Sequence, residues 1–342
     1  MVVASRLVAR STVLVEMHPA CDRHDPGRSH PERPARLDAV RLGLEVAYES
    51  GYAEAVVPRP ATRDELIRVH DPAAVDALEA FCRAGGGRID VDTTATASSW
   101  DAALVAAGAG LDAIERLRAG EADAAFIAVR PPGHHATRDR AMGFCLLNNV
   151  AVAAAALADA GERVLIVDFD AHHGNGTQDA FYRDGRVAYA SLHQWPLYPG
   201  TGRVSERGEG EGEGTTVNLP LPAGATGDVY LAALDEVIVP LSERHAPTWL
   251  IISAGFDGHR DDPLAGLALT SGDFAEITSR LCGLVPAGRR LMVLEGGYDL
   301  DALANSTSAC VAALAGERIR PEDPTSGGPG RQVVESVRVL GP

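Results

Sequence analysis

The stretch from Arg163 to Gln178, RVLIVDFDAHHGNGTQ, constrains the rest of the chain most. Val164 to Val167 is an apolar, β-branched run of strand length with no helical period, so it reads as a short buried strand. It runs straight into Asp168, Asp170, His172 and His173, and the chain then turns at Gly174 and Gly176. Residues two apart in extended backbone point the same way, which puts Asp168, Asp170 and His172 on one side. In open α/β sheets, ligands sit at the carboxyl ends of the strands. A carboxylate and an imidazole presented together suit a borderline cation such as zinc. Asp168 has the parity of an acceptor placed behind the metal ligands. The competing reading is a strand end with turn-forming Asp and Asn and a solvated His pair.

Other predicted strands end in the same kind of chemistry. Ala124 to Val129 leads into Arg130-Pro-Pro-Gly-His134-His135, a fixed, non-helical presentation of two imidazoles. Trp249 to Ser253 leads to Asp257, and Arg290 to Leu294 leads to Glu295-Gly-Gly-Tyr298. Val13 to Glu16 and Val187 to Leu192 are further strands, the latter running through Ser191 to His193. Helical spacing covers Arg36–Glu49, Ala73–Ala84, Trp100–Ala119, Gly227–His245, Ser271–Leu284 and Leu300–Ala315. Thr62 with Glu65 has capping-box spacing for a helix over Ala61–Val69, and Asn148 is placed to cap Val150–Ala160. Alternating strands and helices predict an α/β fold whose central, mostly parallel sheet is covered on both faces. One domain over residues 1–342 is expected, with a Pro/Gly-rich, peripheral tail from about residue 320. Met17 to Arg33, with His18, His24 and His30 among prolines, reads as a loop whose histidines make hydrogen bonds. Ser205 to Thr216, with Glu206, Glu209, Glu211 and Glu213 and no apolar anchor, reads as a mobile loop. Asp92 is either an ordinary turn residue or part of a rim.

Composition narrows the function. Aromatics are 5% against 46% hydrophobic residues, so the core relies on Ala, Val and Leu with close helix-to-sheet approach. The net charge of -16 disfavours nucleic acid and mildly favours cationic ligands. All 31 basic residues are Arg. The five cysteines form no CxxC pair, which argues against a disulfide framework or a thiolate zinc site and suggests a reducing compartment. No apolar run reaches membrane-spanning length, and Met1 to Val15 is broken by Arg6 and Arg10. The expectation is a cytoplasmic protein with neither membrane nor nucleic acid as partner.

Asp170, His172 and Asp257 make three ligands with one position open, the pattern of catalytic rather than structural zinc. Such a metal lowers the pKa of water in the open position. One His of the 134/135 pair can then act as base on that water and the other as acid on the leaving amine, and Tyr298 would donate to the tetrahedral oxyanion. That set describes metal-assisted amide hydrolysis.

The motifs RPPGHH at 130–135, GFC at 143–145, DFDAHHGNGTQ at 168–178, SLH at 191–193, YPGTG at 198–202, GFD at 255–257 and EGGY at 295–298 are specific in combination. With HPERPARL at 30–37, they make the chain resemble the histone deacetylase superfamily over about residues 13–315. The resemblance implies the arginase/deacetylase three-layer α/β/α fold. It implies one zinc on Asp170, His172 and Asp257, with His134 and His135 as acid/base pair and Tyr298 as carbonyl polariser. Asp168 would hold His134, and Asn175 would hold His135, where class I members have Asp and class II members have Asn. Gly143, Phe144, Tyr198, Leu264 and Gly297 would line the acyl-lysine channel, with Asp92 gripping substrate backbone at its rim. A structural potassium would lie near Asp168, Asp170, His172, Ser191 and Leu192.

The implied substrate is N6-acetyl-lysine in a peptide or protein. An acetylpolyamine or another small acylated amine is the enzymatic alternative, and a non-catalytic acyl-lysine binding module is a third reading. Retention of Tyr298 speaks against the module. Gly174 and His259 stand where arginases carry ligands to a second metal, so a binuclear ureohydrolase is disfavoured. Polyamine-selective relatives carry a Glu at the channel mouth, where this chain has Leu264. A homo-oligomer is left open.

Overall fold

Short apolar runs without polar alternation are stable as strands where both faces are covered. The computed structural model describes residues 12–341. Its strands are β1 (Val13–Glu16), β2 (Ala53–Val56), β3 (Gly86–Arg88), β4 (Thr94–Thr96), β5 (Ala124–Ile127), β6 (Val164–Asp168), β7 (Val187–Gln194), β8 (Thr216–Leu221), β9 (Trp249–Ala254) and β10 (Arg290–Leu294). Eight form one sheet in the order β2-β1-β5-β10-β9-β6-β7-β8, with every pairing parallel. β3 and β4 form a separate antiparallel hairpin. The six runs legible as strands make the middle of the sheet. The edges, β2 and β8, are polar enough to escape notice: β2 reads Ala-Glu-Ala-Val and is half exposed, and β8 contains Asn218 and Pro220.

The register pairs Asp168 of β6 with Ser191 of β7 and Ser253 of β9, so neighbouring strands finish level. That brings the segments after β5, β6, β9 and β10 together at one end of the sheet.

The Ala-rich helices pack closely, as composition predicts. A Cβ added to Gly110 in the Ser99–Arg118 helix would lie 2.9 Å from Ala153 Cβ of the Asn149–Asp159 helix. Thr62 and Glu65 form the expected capping box, and Asn148 Oδ1 accepts from Ala151 N at 2.9 Å. Among the described residues no helix is long and apolar enough to cross a membrane. The five cysteines are free and buried. Met1 to Ser11, the part of the N-terminal reading that carries Arg6 and Arg10, lies outside the described residues.

Three expectations need correction. Met17–Arg33 is not all loop, because Pro19–Arg23 forms a short helix whose first turn is capped by His18 Nδ1, accepting from Ala20 N at 3.0 Å. The remaining histidines do make hydrogen bonds: His24 with Ser99 Oγ, and His30 with the carbonyls of Glu32 and Asp92. The acidic loop is tied down, since Glu206 Oε2 accepts from Gln178 Nε2 at 2.8 Å and Gly202 N at 3.0 Å. Its anchors are polar, so a search for apolar ones passes over them. The tail is not peripheral either. Arg331–Leu340 is a helix that buries Val334 and Val337, and it packs on β8. The Pro/Gly-rich residues before it hide that amphipathic turn.

β1 ends in Glu16, fully buried, with no donor bonded to either carboxylate oxygen and Arg116 Nε 3.9 Å away. Burial, reinforced by Asp112, pushes its pKa from 4.5 up to about 8. The folded pKa lies above the unfolded one. This group's contribution to stability is therefore fully present below about pH 4.5 and is lost as pH rises through about 8. Glu16→Gln is expected to leave stability near pH 5 almost unchanged and to raise it by about 2–4 kcal/mol at pH 9. Thermal melts at the two pH values check this, and an equal effect at both would contradict the buried-charge account.

Candidate active site

The level strand ends create the site. Asp170 and His172 follow β6, and Asp257 follows β9. One donor atom from each of the three lies within 4.8 Å of the others. The backbone fixes both carboxylates. Asp170 accepts from His172 N and Gly296 N, each at 2.8 Å, and Asp257 Oδ1 accepts from Ala171 N at 2.8 Å. The approach requires glycine, since a Cβ on Gly296 would lie 2.5 Å from Asp257 Oδ2 and 2.7 Å from Asp170 Oδ2.

His172 Nδ1 sits 2.8 Å from Asp257 Oδ2 and 3.3 Å from Asp170 Oδ1. Burial disfavours its charge, but the two carboxylates prevail and raise its pKa to about 10. Burial, together with Asp170, pushes Asp257 up to about 7. These are groups holding a proton where a cation is wanted. Buried N/O donors crowded this closely, with their remaining lone pairs held by backbone N–H groups, fit a divalent ion such as zinc.

His134 and His135 follow β5. His134 Nδ1 pairs with Asp168 Oδ2 at 3.1 Å, and His135 Nδ1 with Asn175 Oδ1 at 2.8 Å. Burial opposes charge on both. At His134 it is outweighed by Asp170 and Asp168, which raise the pKa to about 10. A dication on the three ligands would neutralise much of that field and bring His134 back down. At His135 burial is reinforced by His134 and His172, so the pKa falls well below the ordinary range and the ring is neutral. The partner stays in the acceptor role because Asn175 cannot take up a proton.

Glu295 supports the His pair from beneath, a role that reading the EGGY motif did not assign. Its Oε2 accepts from Gly133 N at 2.7 Å and His134 N at 3.1 Å. The turn after β10 is clamped from outside by Arg36, which donates to the carbonyls of Glu295 and Gly297, each at 2.6 Å. The Arg36 guanidinium also lies 5.0 Å from the Tyr298 ring centroid. Glu32 pairs with Arg36 at 3.2 Å and with Arg130, so the HPERPAR motif is a buried ion network supporting the turn. Asp262 Oδ2 accepts from Tyr298 N at 2.7 Å. Burial keeps the Tyr298 hydroxyl protonated, its pKa well above 10.

A cavity of about 230 Å³ adjoins these groups, lined among others by Asp92, Gly143, Phe144, Tyr198, Leu264 and Tyr298. Gly143 and Phe144 both have left-handed backbone, φ +57° and +68°, locked by the reciprocal Met142–Cys145 backbone bonds. A Cβ on Gly143 would lie 2.4 Å from His135 Cδ2, so only glycine lets the loop rest on that ring. Phe144 meets Tyr298 edge-on at 5.8 Å, and Tyr198 meets His135 likewise at 5.1 Å.

One channel residue is misassigned by sequence. Gly296 lines the wall, whereas a Cβ on Gly297 would point at Phe256 Cβ, 3.0 Å away, in the core. Pro132 and Leu197 also line the cavity and carry no motif that marks them. Ser191 and Leu192 lie off the channel: Ser191 Oγ pairs with His193 Nδ1 at 2.9 Å, and the Leu192 carbonyl accepts from Tyr230 Oη at 3.4 Å. His173 is not solvated. It is buried between Thr201 Oγ1 and Gln178 Oε1, at 2.8 and 3.0 Å. His259, at the arginase second-metal position, pairs with Glu322 Oε2 at 2.7 Å, and its group is separate from the ligand trio.

A family model described as "Histone deacetylase domain" matches residues 30–314. A "Probable deacetylase" of Archaeoglobus fulgidus is 41% identical over 301 residues, covering 86% of this chain and 84% of that protein. The "Histone deacetylase-like amidohydrolase" of Pseudomonas aeruginosa is 36% identical, covering 86% and 79%. The crystal structure of the HDA15 HD domain superposes with a TM-score of 0.89 at 38% identity, covering 96% of this chain and 94% of that one. With the site's chemistry in agreement, the chain belongs to the histone deacetylase superfamily and is a deacetylase of the amidohydrolase type.

Proposed function

We propose that the protein is a zinc-dependent deacetylase acting on N6-acetyl-lysine in peptides or proteins in the cytoplasm. The observation that carries this reading is one cavity lined by Asp92, by Asp170 and His172 of the clustered trio, by the His pair and by Tyr298. Its lining by Phe144, Tyr198 and Leu264 suits an alkyl chain, and Leu264 stands where a polyamine-selective site wants a carboxylate. The five buried free cysteines accord with a reducing compartment. Zinc bound by Asp170, His172 and Asp257 supplies Lewis acidity and lowers the pKa of water.

The chain's own residues do the rest. Neutral His135, oriented by Asn175, accepts the proton as water attacks the acetyl carbon. Tyr298 Oη donates to the carbonyl oxygen as it gains charge. His134, held by Asp168, hands a proton to the departing lysine amine. A structural potassium by Asp168, Asp170, His172, Ser191 and Leu192, implied by the family resemblance, belongs to the same proposal.

The test compares an acetyl-lysine peptide with an N-acetylpolyamine on zinc-loaded protein. We expect kcat/KM at least about tenfold higher for the peptide, the order a mismatched channel mouth costs. The reverse preference would replace the lysine reading with a small-amine one. No turnover of either would favour the binding-module reading.

A further inference from the structure

Beside the channel lies a second cavity, of about 390 Å³. Ala74, Leu78 and Phe81 of the Pro72–Arg83 helix, Ile89 of the β3–β4 hairpin, and Leu146 form its apolar walls. Phe81 is among the chain's exposed large hydrophobics. Arg138 and Arg140 stand exposed at its edge.

Two segments are shared between this cavity and the channel. The 137–147 segment gives Leu146 to one and Gly143 and Phe144 to the other. The hairpin gives Ile89 to one and Asp92 to the other. The two segments are bonded to each other, with Phe144 N donating to Thr93 Oγ1 at 3.0 Å. Ile89 and Asp92 are three residues apart, so their Cα atoms are separated by no more than about 11 Å. Arg140 lies within electrostatic reach of the Tyr198 hydroxyl in the channel wall.

The two mouths differ in charge. Asp92 lines the channel with Asp90 beside it, in a chain of net charge -16. Among the described residues neither Arg138 nor Arg140 is ion-paired; Arg140 Nη2 reaches Met142 Sδ at 3.5 Å. Asp139 lies between them, its Oδ1 accepting from Thr137 Oγ1 at 3.2 Å. An apolar pocket with two unneutralised guanidiniums is complementary to an apolar side chain next to a carboxylate.

We propose that this cavity is a second recognition site for the substrate polypeptide. It takes a large apolar side chain roughly two to four residues from the acyl-lysine, at about 3.3 Å per extended residue. Arg138 and Arg140 pair with an acidic residue beside that anchor. The inference deepens the acyl-lysine reading and rests on it. A tethered occupant is favoured over a free apolar acid because engagement of the channel supplies the high effective concentration that a half-open pocket needs.

The test uses the zinc-loaded protein and acetyl-lysine peptides of Gly-Ser background. A Phe-Glu pair is moved through each position within four residues on either side of the lysine. One position, or two adjacent ones, is expected to lower KM about tenfold with kcat unchanged. Ala74→Trp, which fills the cavity, and Arg138→Glu should each erase the gain without altering turnover of the Gly-Ser peptide. A flat scan, or a gain that survives both variants, would overturn the proposal. Fluorescence anisotropy of the best labelled peptide reads the pocket without turnover. Affinity at least about fivefold weaker for Ala74→Trp supports the site even if the protein proves inactive on every peptide, an outcome that would count against the deacetylation chemistry alone. Equal affinity in the two proteins, or displacement of the peptide by decanoate with no effect of Arg138→Glu, would overturn it.

Discussion

Replacing Asp257 by alanine is expected to abolish zinc retention and to lower kcat/KM by at least about a thousandfold, a loss of about 4 kcal/mol of transition-state stabilisation. Asp257 is one of the three proposed ligands, so its loss leaves two donors, and among the described residues the neighbouring carboxylates are engaged, Asp262 by Leu264 N and Tyr298 N. Asp168 is occupied by His134 and by Asp170 N, and Glu295 by Gly133 N and His134 N. Zinc per chain and peptide turnover check the result. A thermal melt in chelator separates metal loss from misfolding. The buried acids Asp168, Asp170, Asp257 and Glu295 crowd together against two charged imidazoles, so removing one relieves repulsion in the metal-free protein. The variant should therefore melt no lower than the chelated parent. Full zinc occupancy with retained activity would show that Asp257 is not a ligand.

The second large effect is expected for Tyr298→Phe. Loss of an oxyanion donor costs about 10²–10³ in kcat, and KM should change little, because the hydroxyl acts on charge that develops after binding. The ring should stay in place. Tyr298 N is held by Asp262, and the ring is flanked by Arg36 and Phe144, contacts that phenylalanine keeps. Zinc content is expected to match the parent. A proportional rise in KM with kcat preserved would mean that the hydroxyl only binds substrate.

The parts of this molecule that sequence reveals are those fixed by local rules. A buried parallel strand needs an unbroken apolar run, and β1, β5, β6, β7, β9 and β10 each have one. Side-chain parity then tells which residues leave a strand on the same side, which is why Asp168, Asp170 and His172 could be grouped before any coordinates. Asp257 needed the inference that a second strand ends level with the first, and the β6–β9 register bears that out. What stayed hidden depends on partners far away in the chain. Glu295 reaches residues 133 and 134, Arg36 reaches residues 295 and 297, and nothing near either residue announces it. Gly297 was misplaced for a related reason. In a Gly-Gly turn, which residue faces the cavity is set by backbone angles, here φ +116° at Gly297, and not by residue type.

The Arg331–Leu340 helix lies beyond residues 30–314, the span that the family model matches, and it packs on β8, the outermost strand on its side of the sheet. Arg207 clasps its end, donating to the carbonyls of Leu340 and Gly341. A sheet's last strand is a template on which a stray chain can extend it. Here the helix that packs on that strand comes after every residue of the candidate site in the chain. A segment outside the candidate site thus packs on the strand at which the sheet could be extended.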